Sequence, residues 1–488
     1  MDASALKDFK YACKEYLSTQ SIDKLRSYGR NVGVDSPTKK KKEILIEEIV
    51  SVLTGDLKPV WTNLGAPVKN DYVPPEILET VDKLRVQFLT VGKDPFHFAE
   101  RYREIQENPN VLRVEDPDAP KGGRSREIYR GQLAILDGVP YLLPLDCKDS
   151  SIKLVVSVEQ IRVNDLREGD VVTCFAENKR GVLVASDILT INGLVNDLTK
   201  RVHFDDCDAC FPTQRIRLYE EKPSSFTEKC FQWLIPLGKG QRGCISASPK
   251  SGKTTLLTEM ATAISSVEQD LTVLAVLIDQ PPENIGRFRK ILKKENFVAT
   301  TYEDSPERQV FTAQFMLNRA KRLAERGLDV VLFVDSLTAL ARAFNETTAS
   351  EGGKTLSCGW ESKTLHFIKK YFGSARSLER GGSITLLATV ATATGNPADD
   401  ILYAEISALA NMEIRLSDHL AIQRVFPAVE LQNAFVQQSD LLFGEKEAKF
   451  DAWLRSEYLP ARGEGKWRDL LADSKTYEEF TQKLRKDF

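Results

Sequence analysis

Apolar positions along this chain change their period twice, and each change predicts a different kind of element. Up to about residue 55 the spacing is helical. Leu17, Ile22, Leu25 and Tyr28 recur at helical intervals, residues 29–37 read as a turn, and Ile44, Leu45, Ile49, Val50 and Leu53 mark a further helix. Lys39, Lys40, Lys41 and Lys42 stand at the start of that helix, where positive charge opposes the helix dipole. They fit a phosphate-bearing partner and a solvated basic turn equally well. Residues 56–126 are punctuated by Pro74, Pro75, Pro95, Pro109, Pro117 and Pro120, with a helical stretch at 76–89 and a linker-like 121–126. No function follows from that linker or insertion.

The period then shortens. Runs at 132–136, 140–145, 153–158, 170–175 and 181–188, separated by turn residues, predict a small barrel of the OB or cold-shock type over residues 127–192. Such barrels bind single strands by stacking bases on aromatics beside a basic groove. Tyr129, Tyr141 and Phe175 are the aromatics available, with Arg126, Arg130, Lys179 and Arg180 nearby; a purely structural barrel fits them equally. After a connector at 193–239, strand and helix alternate from about 240 to 488, the pattern of an α/β nucleotide-binding domain. Residues 271–279, 329–335 and 383–390 are nearly continuous apolar runs, as in strands buried on both faces, and 308–326 is helical. The expected fold is multi-domain α/β, with a small helical N-terminal domain (1–55), a β-barrel and a large P-loop domain.

Composition narrows the class. The chain has 488 residues, 42% hydrophobic and 28% charged, room for roughly three domains. No apolar run approaches the ~20 residues of a membrane span, and the N-terminus lacks the basic and apolar regions of a signal peptide. A cytoplasmic protein with no membrane partner is expected. Eight scattered cysteines suggest reduced thiols. Cys207 and Cys210 form a lone C-x-x-C, open to a metal or redox role or to none. His97, His203, His366 and His419 are too dispersed to suggest a metal cluster. With a net charge of −3, any nucleic-acid site must be a local patch.

The chemistry concentrates at Ala247-Ser248-Pro249-Lys250-Ser251-Gly252-Lys253-Thr254. An apolar run precedes it and an amphipathic segment follows from Thr255, so strand, tight loop and helix frame a phosphate-binding loop. Its backbone N–H groups and the helix N-terminus form an anion cradle, Lys253 reaches the β/γ-phosphates, and the Thr254 hydroxyl holds Mg²⁺. Ala247 occupies the usual first glycine. Some eighty residues on, an apolar strand ends in Asp335, the form that places a carboxylate beside the metal or its water. ATP and Mg²⁺ are therefore the expected cofactors.

The order of these pieces resembles bacterial transcription termination factor Rho. The likeness rests on Gly240-Gln241-Arg242-Gly243, the loop itself, Leu277-Ile278-Asp279, Asp335-Ser336-Leu337-Thr338, Leu340-Ala341-Arg342-Ala343, Asn411-Met412-Glu413 and Arg424-Val425-Phe426-Pro427-Ala428. It implies a homohexameric, RecA-like, RNA-dependent ATPase that translocates on RNA, with RNA polymerase as a further partner. Position by position it implies phosphate and Mg²⁺ contacts at Lys250, Lys253 and Thr254, a metal role for Asp335, adenine packing by Phe426 and nucleotide sensing across a subunit interface by Arg424. RNA contacts fall on Tyr141 in the barrel, on Lys354 and Thr355, and on the loop around Gly395.

Several positions depart from that pattern. Gln280 stands where the family has its catalytic glutamate, Pro281 where it has an arginine, and Gln437 aligns with its arginine finger. Pro397 replaces an RNA-facing lysine; Val139, Val155 and Gly181 replace aromatics, and Leu143 a basic residue. An amide orients a water but does not take its proton, so slow hydrolysis is expected unless Glu283 or Arg415 substitutes. Two readings result: a Rho-like terminator driven by RNA-dependent ATP hydrolysis, and a Rho-related nucleotide-binding regulator with little or no turnover.

Overall fold

A computed structural model describes residues 3–32, 34, 37–54, 57, 127–147, 153–179, 182–195, 202–349, 359–463 and 465–488. The stretches 76–89 and 121–126 lie outside these. The chain divides into two compact units, Met1–Glu107 and Asn108–Phe488.

In the first unit, helices Ala3–Thr19, Ile22–Asn31 and Lys42–Leu53 bury Phe9, Cys13, Leu17, Leu25, Leu45 and Ile49 against one another. Leu17 and Ile22 belong to separate helices, and the second helix runs through Gly29, where a turn is expected from sequence. Packing explains this: a Cβ on Gly29 would lie 3.1 Å from Leu45 Cδ1 and 3.3 Å from Pro37 Cβ, so the glycine permits close approach and the turn begins later. Part of the lysine cluster is internally engaged. Lys40 pairs with Glu48, and Lys42 Nζ donates to the Ser18 carbonyl at 2.6 Å.

The second unit opens with the strands β1 (Glu127–Leu136), β2 (Val139–Leu143), β3 (Leu154–Val155), β4 (Val171–Lys179), β5 (Val182–Ile191) and β6 (Leu194–Val195). They run in the order β3-β2-β1-β4-β5-β6, and parallel pairing of Val155 with Val184 closes a small barrel. Tyr129, Leu133, Leu142, Leu154, Val172 and Ile191 fill it. Asp137-Gly138 and Asn192-Gly193 have positive φ at both positions, the hairpin turn that matches the strands' right-handed twist. The run expected as a strand over 153–158 is shorter: Ser157 caps a helix, Val158–Val163, by accepting a hydrogen bond from the Gln160 amide at 3.2 Å.

A nine-stranded sheet forms the remainder. Its strands are β7 (Ala209–Cys210), β8 (Arg242–Ala247), β9 (Thr272–Leu277), β10 (Phe297–Ala299), β11 (Asp329–Asp335), β12 (Arg376–Leu378), β13 (Ser383–Ala391), β14 (Met412–Arg415) and β15 (Phe435–Val436). From β10 through β9, β11, β13, β8 and β14 every pairing is parallel, and β15 closes the path antiparallel. Helices cover both faces, which is why the central strands read as unbroken apolar runs. Leu257, Phe288 and Trp467 pack on one face, Met316, Leu340 and Phe372 on the other. Residues 193–239, a connector in the sequence, contribute β7, which pairs with β12, and a helix (Phe226–Trp233) that buries Phe231 and Trp233.

The barrel is seated on this layer. Gln132 Nε2 donates to the Phe315 carbonyl at 2.6 Å, Arg130 pairs with Glu295 at 2.9 Å and Arg167 with Glu325 at 3.5 Å. Gly169 (φ +95°) approaches so closely that a Cβ there would fall 2.3 Å from the Asn318 carbonyl carbon. Among the described residues no helix is long and apolar enough to cross a membrane.

Candidate nucleotide site

β8 ends at Ala247, which is 1% exposed, pairs with Ala391 and lacks the positive φ that would call for glycine. The substitution at the loop's first position thus falls inside a strand and changes no loop geometry. Beyond it Lys250 (φ +68°) and Gly252 (φ +91°) are left-handed, and Ser251 Oγ donates to the Ser248 carbonyl at 2.8 Å. Alternation of right- and left-handed residues turns successive N–H groups into one concavity, a nest for an anion. The helix Lys253–Val267 starts at once, with no side chain capping its first turn, so those N–H groups are free to bind a phosphate.

Beneath the loop, Asp335 ends β11 with no exposed surface. Thr254 Oγ1 donates to its Oδ2 at 2.7 Å, and Thr389 Oγ1 from β13 donates to its Oδ1 at 2.7 Å. Loop hydroxyl and strand carboxylate, eighty-one positions apart, therefore share one point. An oxygen donor set of hydroxyl and carboxylate at the mouth of a phosphate cradle fits a hard divalent cation that keeps several waters.

Phe426 stands against the loop: a Cβ on Gly252 would lie 2.9 Å from Phe426 Cε1. The residue is 42% exposed beside the cradle. Asp418 accepts a hydrogen bond from Ser248 Oγ, tying the loop to the segment that carries Arg424 and Phe426. Arg468 supports that segment from behind, donating to the Val429 carbonyl at 2.9 Å and to the Pro427 carbonyl. Sequence reasoning missed Asp418 and Arg468 because neither lies in a motif; only the fold brings them here. Arg424 is exposed, with left-handed backbone; its N–H donates to the Ala421 carbonyl at 3.0 Å, and its guanidinium has no hydrogen-bond or ionic partner among the described residues.

The altered positions behave differently. Gln280 is buried; its Nε2 donates to the Ile278 carbonyl at 3.3 Å and its Oε1 accepts from Asn284 Nδ2 at 3.0 Å. Gln437 is exposed just after β15, held by its backbone N–H to the Asn411 carbonyl. Of the substitutes considered, Glu283 is exposed on the first turn of the helix Pro282–Ile291, and Arg415 lies 3.6 Å from Glu430.

Pro397 is the first residue of the helix Pro397–Ser407, where a proline's missing N–H goes unneeded, and Asn396 caps it. Gly395 (φ +78°) is exposed in the preceding turn, which Thr394 fastens to buried Asp399 at 2.6 Å. Tyr141 is half-buried, with Lys153 Nζ 5.6 Å from its ring centre. Lys354 and Thr355 lie outside the described residues. Cys207 and Cys210 are free thiols on one short stretch, and among the described residues no three His, Cys, Asp or Glu side chains group as metal ligands.

Parallel sheet, phosphate loop and terminal aspartate define a P-loop nucleotide-binding domain, and residues 229–435 match the nucleotide-binding domain of the ATP synthase alpha/beta family. The similarity to curated proteins is more specific. The transcription termination factor Rho of Streptomyces coelicolor is 38% identical over 64% of this chain and 74% of its own length. That of Bacillus subtilis is 36% identical over 63% and 72%, and that of Aquifex aeolicus 34% over 67% and 77%. The chain belongs to the transcription termination factor Rho family.

Proposed function

We propose that the protein terminates transcription as an ATP-hydrolysing ring; the reading rests on the contact of Thr254 with Asp335 directly under an uncapped phosphate loop.

Stated in full, the proposal is a homo-oligomeric, RNA-dependent ATPase that moves on nascent RNA and acts on RNA polymerase in the cytoplasm. Lys250, Ser251, Gly252, Lys253 and the first-turn amides would hold the phosphates, with Ala247, Ser248 and Pro249 shaping the loop and Phe426 packing on the base. Thr254 and Asp335 would hold Mg²⁺, which when bound neutralises charge developing on the β- and γ-phosphate oxygens. Arg424, exposed and unpaired among the described residues, would serve a neighbouring subunit's nucleotide, as in a hexameric ring. RNA would meet the turn at Gly395, the segment with Lys354 and Thr355, and Tyr141 on a barrel of the OB type. We assign 1–55 to the family's N-terminal helical domain, 127–192 to the barrel and 240–488 to the RecA-like ATPase domain.

Hydrolysis is expected to be slow. The Gln280 amide cannot accept a proton and is already bonded at both ends, and Gln437 carries no charge. The second reading is a nucleotide-binding regulator, and one experiment separates the two. ATP turnover is measured for the full chain with and without RNA, beside Lys253→Ala. RNA-stimulated turnover that disappears in the variant supports the motor; tight ATP binding with no turnover in the presence of RNA overturns it.

A further inference from the structure

Two arginines that the family resemblance leads one to expect are missing here: one at Pro281, beside the altered catalytic position Gln280, and the arginine finger at Gln437. The structure holds an unassigned one. On the helix Pro282–Ile291, Arg287 Nη1 donates to Thr255 Oγ1 at 3.1 Å. Thr255 directly follows Thr254 and is the third residue of the helix Lys253–Val267, inside the uncapped first turn.

The charge of Arg287 is not spent on an acid. The ordinary partner for an exposed helical arginine is a carboxylate one turn away, and Glu283 stands four residues earlier. Arg287 makes no ion pair with it or with any other acid among the described residues; a neutral hydroxyl is its one hydrogen-bond partner there. A guanidinium has five N–H donors in a planar fork, so most remain available, and that fork matches two phosphate oxygens at once. Lys253 and Thr254 serve the β/γ end and the metal; a cation fastened one residue further along the helix falls beside the α/β portion of the polyphosphate.

We propose that Arg287 binds the nucleotide in the loop of its own subunit, its guanidinium held by Thr255 against the α- and β-phosphates of a nucleoside di- or triphosphate. This rests on reading residues 247–254 as the nucleotide site. It supplies in cis a cation in place of the arginine that the family resemblance leads one to expect at Pro281, at the N-cap of the same helix. Because the contact is to α/β oxygens, it strengthens binding of ATP and ADP alike and is indifferent to adenosine.

The test is titration of the full chain with ATP, ADP and adenosine, each followed by calorimetry, for the wild type, Arg287→Ala, Arg287→Lys and Lys253→Ala. Thermal melts without nucleotide control for folding, and Arg287→Gln replaces the alanine variant should that one unfold. The expected result is a loss of about tenfold to a hundredfold for ATP and for ADP in Arg287→Ala. Adenosine affinity stays the same, and Arg287→Lys falls between, because a lysine keeps the charge and loses the fork. Unchanged ATP and ADP affinity in Arg287→Ala overturns the proposal, as does an equal loss for adenosine. In either case a loss in Lys253→Ala shows that the loop reading still stands, whereas unchanged binding in Lys253→Ala removes both.

Discussion

Glutamine at position 280 keeps the size of a glutamate and discards its basicity. The tertiary setting goes further, since Ile278 and Asn284 occupy the amide from both sides. A carboxylate at this position would keep the Asn284 donor and be repelled by the Ile278 carbonyl, which turns an oxygen outward. Gln280→Glu combined with Gln437→Arg is therefore expected to raise RNA-stimulated phosphate release at least about tenfold, given that a finger in trans contributes ~10³–10⁵ elsewhere. No gain would place the limit outside these two positions. Ala247 makes the opposite point: its departure from glycine changes no loop conformation, because the residue is strand and not loop.

Among the elements, the junction of barrel and sheet layer leaves little room for change. Gly169 combines a left-handed backbone with contact against the helix Pro306–Ala324 at Asn318. Gly169→Ala would place a methyl 2.3 Å from a carbonyl carbon, so the loop must shift and the Arg167–Glu325 pair beside it with it. Urea unfolding should show a loss of at least about 2 kcal/mol, against the few tenths expected of an exposed glycine. Elements were legible where one rule governed them. The loop helix and the buried parallel strands followed from apolar runs and the motif, and the Asp137-Gly138 hairpin lies in the gap between two expected strands. The helix Val158–Val163 was missed because its apolar start continues the run of β3, and only the Ser157 cap marks the change.

At the scale of the molecule, burial of thiols sets an alkaline limit. Desolvation pushes Cys13 up to about 11 and Cys174 up to about 12. Each thiol stays neutral when folded and ionises more readily when unfolded, so the unfolded state binds fewer protons in this range. Their contribution is intact below the ordinary thiol range, near pH 9, and is lost as pH rises toward 11 and 12, by up to about 1.4 kcal/mol per pH unit for each thiol. Urea unfolding from pH 8 to 11 should show this decline. Cys174→Ala is expected to be less stable at pH 8 and to decline less steeply; parallel curves would assign the decline to other groups.

The sequence by itself determined the loop motif, the strand-ending aspartate and the family, because each is carried by contiguous residues whose spacing is their chemistry. Only the tertiary structure decided what surrounds them. Asp418, Arg468 and Arg287 reach the site from 170, 41 and 32 positions away from the residues they hold. The same is true of Gln280, whose identity was visible and whose confinement was not. Contacts between segments so distant in sequence arise from strand order and helix packing, and no local pattern of polar and apolar residues encodes them.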